Sequence, residues 1–292
     1  MVTMKNIALI TNYNIPEKMN AAMLVVEKIA DRAEHIIIPE TYKDKILRNR
    51  LHNSKFVYKP IDEIYAEAEL AIVIGGDGSM LDGARRAAAV GIPVLGINMG
   101  RVGYMTELEM DELELIDRVF SGEYILDERA MLTVTVVSSK GQVKFKADAL
   151  NEAVIANGTT ARIVDLELWE GDEVVNTYRA DGLVIATPTG STAYSLSAGG
   201  PIVAPGLSCF CVTPVCPHSL FARPLIFPDT ATLKIKNICV REKVLHLTLD
   251  GKVSFPMYHG DCALITKSPV KAKLLRLKDD GFCSKIRLKK LL

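Results

Sequence analysis

The chain has 292 residues, 49% of them apolar and 24% charged, a globular balance that excludes disorder and fibrous repeats. Its 35 Lys and Arg offset 35 Asp and Glu, so the formal net charge is zero and the basic excess of a nucleic-acid-binding protein is missing. No apolar run reaches the roughly 18 residues of a membrane span, and the first residues lack a signal-peptide core. Six cysteines at irregular spacing suit reduced thiols rather than a disulfide framework. The expectation is a cytoplasmic globular protein with neither nucleic acid nor membrane as partner.

In chain order, residues 7–11 (IALIT) predict a strand, and Asn14-Ile15-Pro16-Glu17 predicts a helix start with Asn14 as cap and Pro16 in the first turn. That helix is expected from Pro16 to about Glu34, with Met19, Met23, Val26, Ile29 and Ala30 on one face. A strand over 35–38, a charged helix over 41–53 and a strand from Leu70 to Ile74 follow. The next helix is expected from Ser79 to Val90, then a strand from Ile92 to Ile97 and a helix from Asp111 to Phe120. This alternation predicts an α/β domain over 1–127, an open parallel sheet with helices on both faces. Residues 128–266 are a succession of strand-like segments with Gly and Asp turns, which predicts a mainly antiparallel, β-sandwich-like second domain. Residues 267–292 are expected to return to the first domain, and 271–292 regain Lys, Arg and Leu at helical spacing. The basic stretch Lys267–Lys278 reads as a solvated edge.

Four places carry chemistry. Ile72-Val73-Ile74-Gly75-Gly76-Asp77-Gly78-Ser79 puts a carboxylate among glycines at the end of a buried strand. Glycines permit a sharp turn and close ligand approach, the following helix offers free N–H groups, and an open α/β sheet binds ligand at such strand ends. Asp77 there can take a proton from a hydroxyl, hold a phosphate-bearing metal, or simply cap the helix. Thr187–Gly200 follows an apolar strand and is crowded with small and hydroxyl side chains. It suits a ligand lying along the backbone, with Tyr194 as a stacking face. Asn151-Glu152 pairs an amide with a carboxylate, which suits vicinal ribose hydroxyls, and Arg179-Ala180-Asp181 precedes a strand, with Asp181 expected to point inward. Cys209, Cys211, Cys216 and His218 match no common zinc spacing and read as packed thiols; His259 and Asp250-Gly251 read as turn residues.

In order along the chain, Gly75-Gly76-Asp77-Gly78, Asn98-Met99-Gly100-Arg101-Val102-Gly103-Tyr104-Met105, Asn151-Glu152, Thr187–Gly200, Pro217-His218-Ser219-Leu220 and Ala222-Arg223-Pro224 resemble the bacterial NAD kinases. The resemblance runs from about residue 70 to 253. It implies transfer of a phosphoryl group from ATP or inorganic polyphosphate to the 2′-hydroxyl of the adenosine ribose of NAD, with a divalent metal ion, Mg2+ by preference. It further implies Asp77 as proton acceptor with Gly78 beside it, and Asn151 and Glu152 on ribose hydroxyls. Arg162, Arg179 and Asp181 would lie along the dinucleotide, whose groove Thr189, Thr192, Ala193, Tyr194, Ser195, Leu196 and Ser197 would line. A homodimer or homotetramer is also implied. The chain departs from the family where many members carry Asp-Gly-Gln and it has Asp250-Gly251-Lys252, and at Phe221, a position that is commonly small or polar. Lipid kinases and phosphofructokinases share a Gly-Gly-Asp-Gly loop, but the polar 187–200 stretch and the β-rich second half fit them poorly. A dinucleotide sensor would not need Asp77.

Overall fold

The computed structural model describes residues 3–49, 51–100, 103–158, 163–240, 244–279 and 281–288. It divides into two compact units, Met1–Glu128 with Ala272–Leu292, and Arg129–Lys271. The first unit begins β1 (Met4–Ile10), α1 (Pro16–Ile29), β2 (Ala33–Pro39), α2 (Lys43–Arg48), β3 (Phe56–Lys59) and α3 (Ile61–Glu67). It continues with β4 (Leu70–Gly75), α4 (Asp77–Val90), β5 (Pro93–Asn98) and α5 (Asp117–Ser121).

These five strands pair in parallel in the order β3-β2-β1-β4-β5. The order reverses between β1 and β4, and in a doubly wound sheet a crevice opens there, outside the carboxyl ends of the strands. Alternate strand residues face opposite layers. Ile72, Ile74, Leu95 and Ile97 pack with Ala22, Val25 and Ile29 of α1 and with Ile116 and Phe120. Val73 faces the other layer, where a Cβ added at Gly83 of α4 would come within 2.6 Å of its methyl group. The expected helices on both faces are present.

Several local expectations change. Ile15, not Asn14, is the N-cap of α1, and no side chain caps it; Pro16 occupies the first turn, where its missing N–H costs nothing. The helix ends at Ile29 and tightens into a 3₁₀ turn, Ala30–Arg32. The charged 41–53 segment yields only α2 after a 3₁₀ turn, and the 111–120 helix is a kinked 3₁₀ segment, Met110–Ile116, followed by α5. β3 and α3 were not expected. At four and seven residues they are shorter than the window in which a hydrophobic period can be read.

The chain enters the second unit along β6 (Ile125–Val137), then forms β7 (Val143–Ala149), β8 (Glu152–Asn157), β9 (Val164–Glu170), β10 (Glu173–Ala180) and β11 (Gly182–Ala186). After α6 (Tyr194–Ser197) come β12 (Cys209–Val215), β13 (Leu225–Pro228), β14 (Leu233–Asn237), β15 (Leu245–Leu249) and β16 (Val253–Met257). β17 (Cys262–Arg276) leads back to the first unit, which ends in α7 (Phe282–Leu288). A six-stranded antiparallel sheet, β13-β12-β11-β8-β15-β16, shares one core with β6, β9 and β14. Ala153, Ile155, Leu183, Ile185 and Leu247 from that sheet meet Leu132, Val134, Leu166, Leu168, Leu233 and Ile235 from the other strands, the two-layer packing of a sandwich.

The helical spacing read for the last segment is overturned as far as Arg276. The residues from Cys262 to Arg276 form one strand, pairing with β14 at Ile265 and with β5 at Lys273 and Leu274. It has neighbours in the sheet rather than a solvated edge, and Lys267 is ion-paired with buried Asp229 at 2.6 Å. A period of two fits Ala272 and Leu274 as well as a helical period does. Among the described residues, no helix is long and apolar enough to cross a membrane.

Candidate active site

β4 delivers Gly75 to the carboxyl edge of the sheet, and the chain turns directly into α4. Gly76 is the N-cap and Asp77 the first helical residue, so the helix starts two residues earlier than expected and Asp77 does not cap it. Ser79 N and Met80 N donate to the Gly76 carbonyl. The backbone N–H groups of Asp77 and Gly78 donate to no acceptor among the described residues, which leaves two donors at the positive end of a 14-residue helix. A Cβ at Gly75 would fall 2.7 Å from Ser79 Oγ, whereas one at Gly78 would meet nothing within 4 Å. Gly75 is thus required by packing, and Gly78 is not.

The Asp77 carboxylate is half-buried. Its Oδ1 accepts from the backbone N–H of Met105 at 2.9 Å, and Oδ2 meets no donor among the described residues. Met105 belongs to a connection that folds back onto β5. Met99 N donates to the Gly75 carbonyl at 3.0 Å, Glu107 N to the Gly96 carbonyl at 2.9 Å, and Gly100 N to the Asn98 side chain at 2.9 Å. Gly100 lies so close to Gly76 that its Cβ would sit 2.8 Å from the Gly76 Cα. Arg101 and Val102 of this stretch lie outside the described residues.

In the second unit a separate cluster forms around Asn151 and Glu152, both buried. The backbone groups of residues 150–152 are held by two segments distant in sequence. Asp250, itself buried, accepts from the N–H groups of Leu150 at 2.9 Å, Asn151 at 2.8 Å and Glu152 at 3.2 Å. Thr187 N donates to the Asn151 carbonyl and Thr187 Oγ1 to the Leu150 carbonyl. Gly190 packs so tightly that a Cβ would overlap the Asn151 carbonyl. With the backbone held by both segments, Asn151 Oδ1 and Glu152 Oε2 are buried and accept from no donor among the described residues. Burial pushes the Glu152 carboxyl up to about 7, nearby Asp250 adds to the rise, and a hydrogen bond from the Tyr194 backbone opposes it. Two unpartnered buried acceptors side by side are costly without a ligand.

The hydroxyls of the 187–200 segment are largely occupied within the protein. Ser191 Oγ bridges the Pro188 carbonyl and the Val203 N–H, Thr192 Oγ1 donates to the Thr189 carbonyl, and Ser195 Oγ pairs with Thr213. Thr189 is buried, and its hydroxyl accepts from Arg129. Tyr194 and Ser197 are exposed, and Ala193 and Leu196 half-buried, so this segment offers a ring, small side chains and backbone more than hydroxyls.

Arg179 and Asp181 stand apart from that cluster. Glu152 pairs with Ala186 and Ala156 with Gly182, so Asp181 adjoins the far end of β11, about 13 Å along the strand. Asp181 is exposed rather than turned inward, because Ala180 and Gly182 take the buried places on either side of it. Arg179 is also exposed and lines a cavity of about 180 Å³ with Tyr178, Pro217 and Phe221. Arg162 lies outside the described residues. Cys209 and Cys211 are buried, the Cys211 thiol pushed up to about 12 by burial, but Cys216 is exposed.

Two family models match: the ATP-NAD kinase N-terminal domain over residues 7–124 and the ATP-NAD kinase C-terminal domain over 150–277. The chain belongs to the NAD kinase family. The NAD kinase of Symbiobacterium thermophilum is 44% identical over 231 residues, covering 79% of this chain and 81% of that protein. That of Heliobacterium modesticaldum is 37% identical over 290 residues and 98% of both chains. Two solved structures at 23% identity share the fold. Yeast NADH kinase complexed with NADH gives a TM-score of 0.86 over 98% of this chain and 87% of that one. An NAD kinase from Archaeoglobus fulgidus in complex with ATP gives 0.66 over 97% and 98%. For this NAD kinase family member, the residue that sequence reasoning missed is Asp250, read as a turn. It does sit in a turn, with a positive φ of 49°. A buried acceptor at that position was visible only as an Asp before Gly251.

Proposed function

We propose that this chain transfers the terminal phosphoryl group of ATP, or a phosphoryl group of inorganic polyphosphate, to the 2′-hydroxyl of the adenosine ribose of NAD, forming NADP. The observation that carries the site assignment is Asp77: among the described residues one carboxylate oxygen is tied to the Met105 N–H and the other is unpaired, at a helix start with two free N–H donors. The tie fixes the carboxylate plane, and Oδ2 then orients the hydroxyl and accepts its proton. The hydroxyl oxygen forms the new bond to phosphorus as the bond to the leaving oxygen breaks. The transition state of such a transfer is loose, so positioning and charge stabilisation supply most of the acceleration. The free N–H groups of Asp77 and Gly78 suit the phosphate oxygens.

Asn151 Oδ1 and Glu152 Oε2 accept from ribose hydroxyls, which removes the cost of leaving them unpartnered. Tyr194, Ala193, Leu196 and Ser197 line the dinucleotide, as do Thr189, Thr192 and Ser195 through the backbone they shape. Arg162, Arg179 and Asp181 are further contacts carried by the resemblance. No cluster of three or more His, Cys, Asp or Glu is present among the described residues. Mg2+ is held chiefly by substrate phosphates with one or two carboxylates and would neutralise phosphate charge here; Asp77 is the carboxylate at this strand end. A cytoplasmic location and a homodimeric or homotetrameric form complete the proposal. The test is NADP formation from NAD with ATP or polyphosphate and magnesium. Asp77→Asn should retain NAD affinity and lose turnover by roughly 100-fold or more; near-normal turnover would remove Asp77 from the chemistry.

A further inference from the structure

We propose that Arg276, in the segment that returns to the first unit, is a positioning residue for phosphoryl transfer, acting on Asp77 through Met105. The inference rests on the role assigned to Asp77 above. The hydrogen bond that orients that carboxylate among the described residues comes from a backbone N–H, so the carboxylate can be no better fixed than the Met105 peptide. Residues 99, 100 and 103–106 form no helix or strand. The carbonyl of Met105, on the next peptide unit, accepts from Arg276 Nη1 at 3.3 Å. One residue thus transmits position from a guanidinium to the reacting acid.

The guanidinium is itself held from two sides. Its Nη1 also donates to Glu107 Oε2 at 3.1 Å and its Nε to Asp127 Oδ2 at 3.0 Å. Glu107 is buried, and its other oxygen accepts from the backbone N–H groups of Leu277 and Lys278 at 2.8 and 2.9 Å. Arg276 is 9% exposed and Glu107 4%. A buried ion group of this kind is weak evidence of stabilisation, because desolvation offsets much of the attraction and apolar residues of the same volume often serve as well. What a planar fork adds is direction: several donors in a fixed plane can hold Glu107, Asp127 and the Met105 carbonyl at once, which the rotating ammonium of a lysine does not reproduce. Only the last of those contacts leads toward the reacting atoms.

The test compares Arg276→Lys and Arg276→Met with the parent enzyme in NADP formation, after circular dichroism and melting have shown both to be folded. The expected result is a kcat lower by on the order of 10- to 100-fold, the effect of a small misplacement, with KM for NAD and for ATP within about twofold of the parent. In an Asp77→Asn background the Arg276→Lys change should lower turnover no further, because its effect passes through the carboxylate already removed. Glu107→Gln, which loosens the guanidinium without altering it, should lower kcat less and in the same direction, and it serves alone if neither Arg276 variant folds. A parent-like kcat in these variants, an equal loss with and without Asp77, or a change confined to KM would overturn the proposal. If Asp77→Asn itself turns over normally, the assignment of Asp77 fails and this inference falls with it; if that variant is inactive and Arg276→Lys is unimpaired, only the inference fails.

Discussion

Replacing Glu152 by Gln should make the protein more stable at pH 8 while weakening its hold on NAD. The carboxyl of Glu152 is buried beside Asp250 and rises to about 7 in the folded chain, against an ordinary glutamate value near 4.3 in the unfolded one. A raised acid binds more protons folded than unfolded, so stability falls as pH rises between those two values and is flat above and below them. The interval of about 2.7 units at 1.36 kcal/mol each gives about 3–4 kcal/mol lost between pH 4 and pH 8. Glutamine matches the shape of the protonated acid and does not titrate, so Glu152→Gln should escape that loss. Urea denaturation of both proteins at pH 5, 6, 7 and 8 measures it: the gap between variant and parent should widen with pH, reaching on the order of 3 kcal/mol, or roughly 5–10 °C in Tm. The KM for NAD should rise, because an amide replaces an acceptor that suits a ribose hydroxyl. Parallel stability curves for the two proteins across that range would refute the account of a buried carboxyl raised by its surroundings.

Gly78→Ala meets open space and takes an ordinary helical φ, so it should raise stability by about 0.5–1 kcal/mol in melting experiments. If a phosphate approaches that backbone, the same change should raise the KM for ATP; a parent-like KM would remove Gly78 from the donor site. Asp250→Asn keeps a residue tolerant of the positive φ but turns one acceptor oxygen into a donor facing the N–H groups of residues 150–152. It should cost on the order of 2–4 kcal/mol and raise the KM for NAD more than it lowers kcat, a split that steady-state kinetics would reveal.

The α/β frame was legible because buried parallel strands such as Leu70–Gly75 are continuous apolar runs, and because glycine after a strand signals a turn that no other residue makes so easily. Lost from view were the elements too short to show a period, β3 and α3, and the state of β17, where alternating Lys and apolar residues fit strand and helix alike. Motifs placed Asp77, Asn151 and Glu152, since each is a polar residue at an apolar strand end. Contacts between segments a hundred residues apart leave no such trace: Asp250 with Leu150, or Arg276 with Met105, involve backbone groups on one side, and any residue supplies those. Asp181 was expected to turn inward by strand alternation, but it falls in the step between β10 and β11, where the period restarts.

The hydroxyl-rich segment spends most of its hydroxyls within the protein. Its density of Ser and Thr suggested direct ligand contacts, yet Thr187, Ser191, Thr192 and Ser195 bond to neighbouring protein groups. Small hydroxyl residues can satisfy backbone groups in an irregular turn without adding bulk, and that is what lets Gly190 lie against the Asn151 carbonyl. The turn and the Asp250 side chain thus complete the hydrogen bonding of the 150–152 backbone between them. Once those backbone groups are satisfied, the acceptors left over are Asn151 Oδ1 and Glu152 Oε2. On the proposed function, recognition in this unit falls to two side chains made incomplete by everything around them. On that argument, substitutions among the Ser and Thr residues should act on NAD binding through the position of Asn151 rather than by deleting a contact to the ligand.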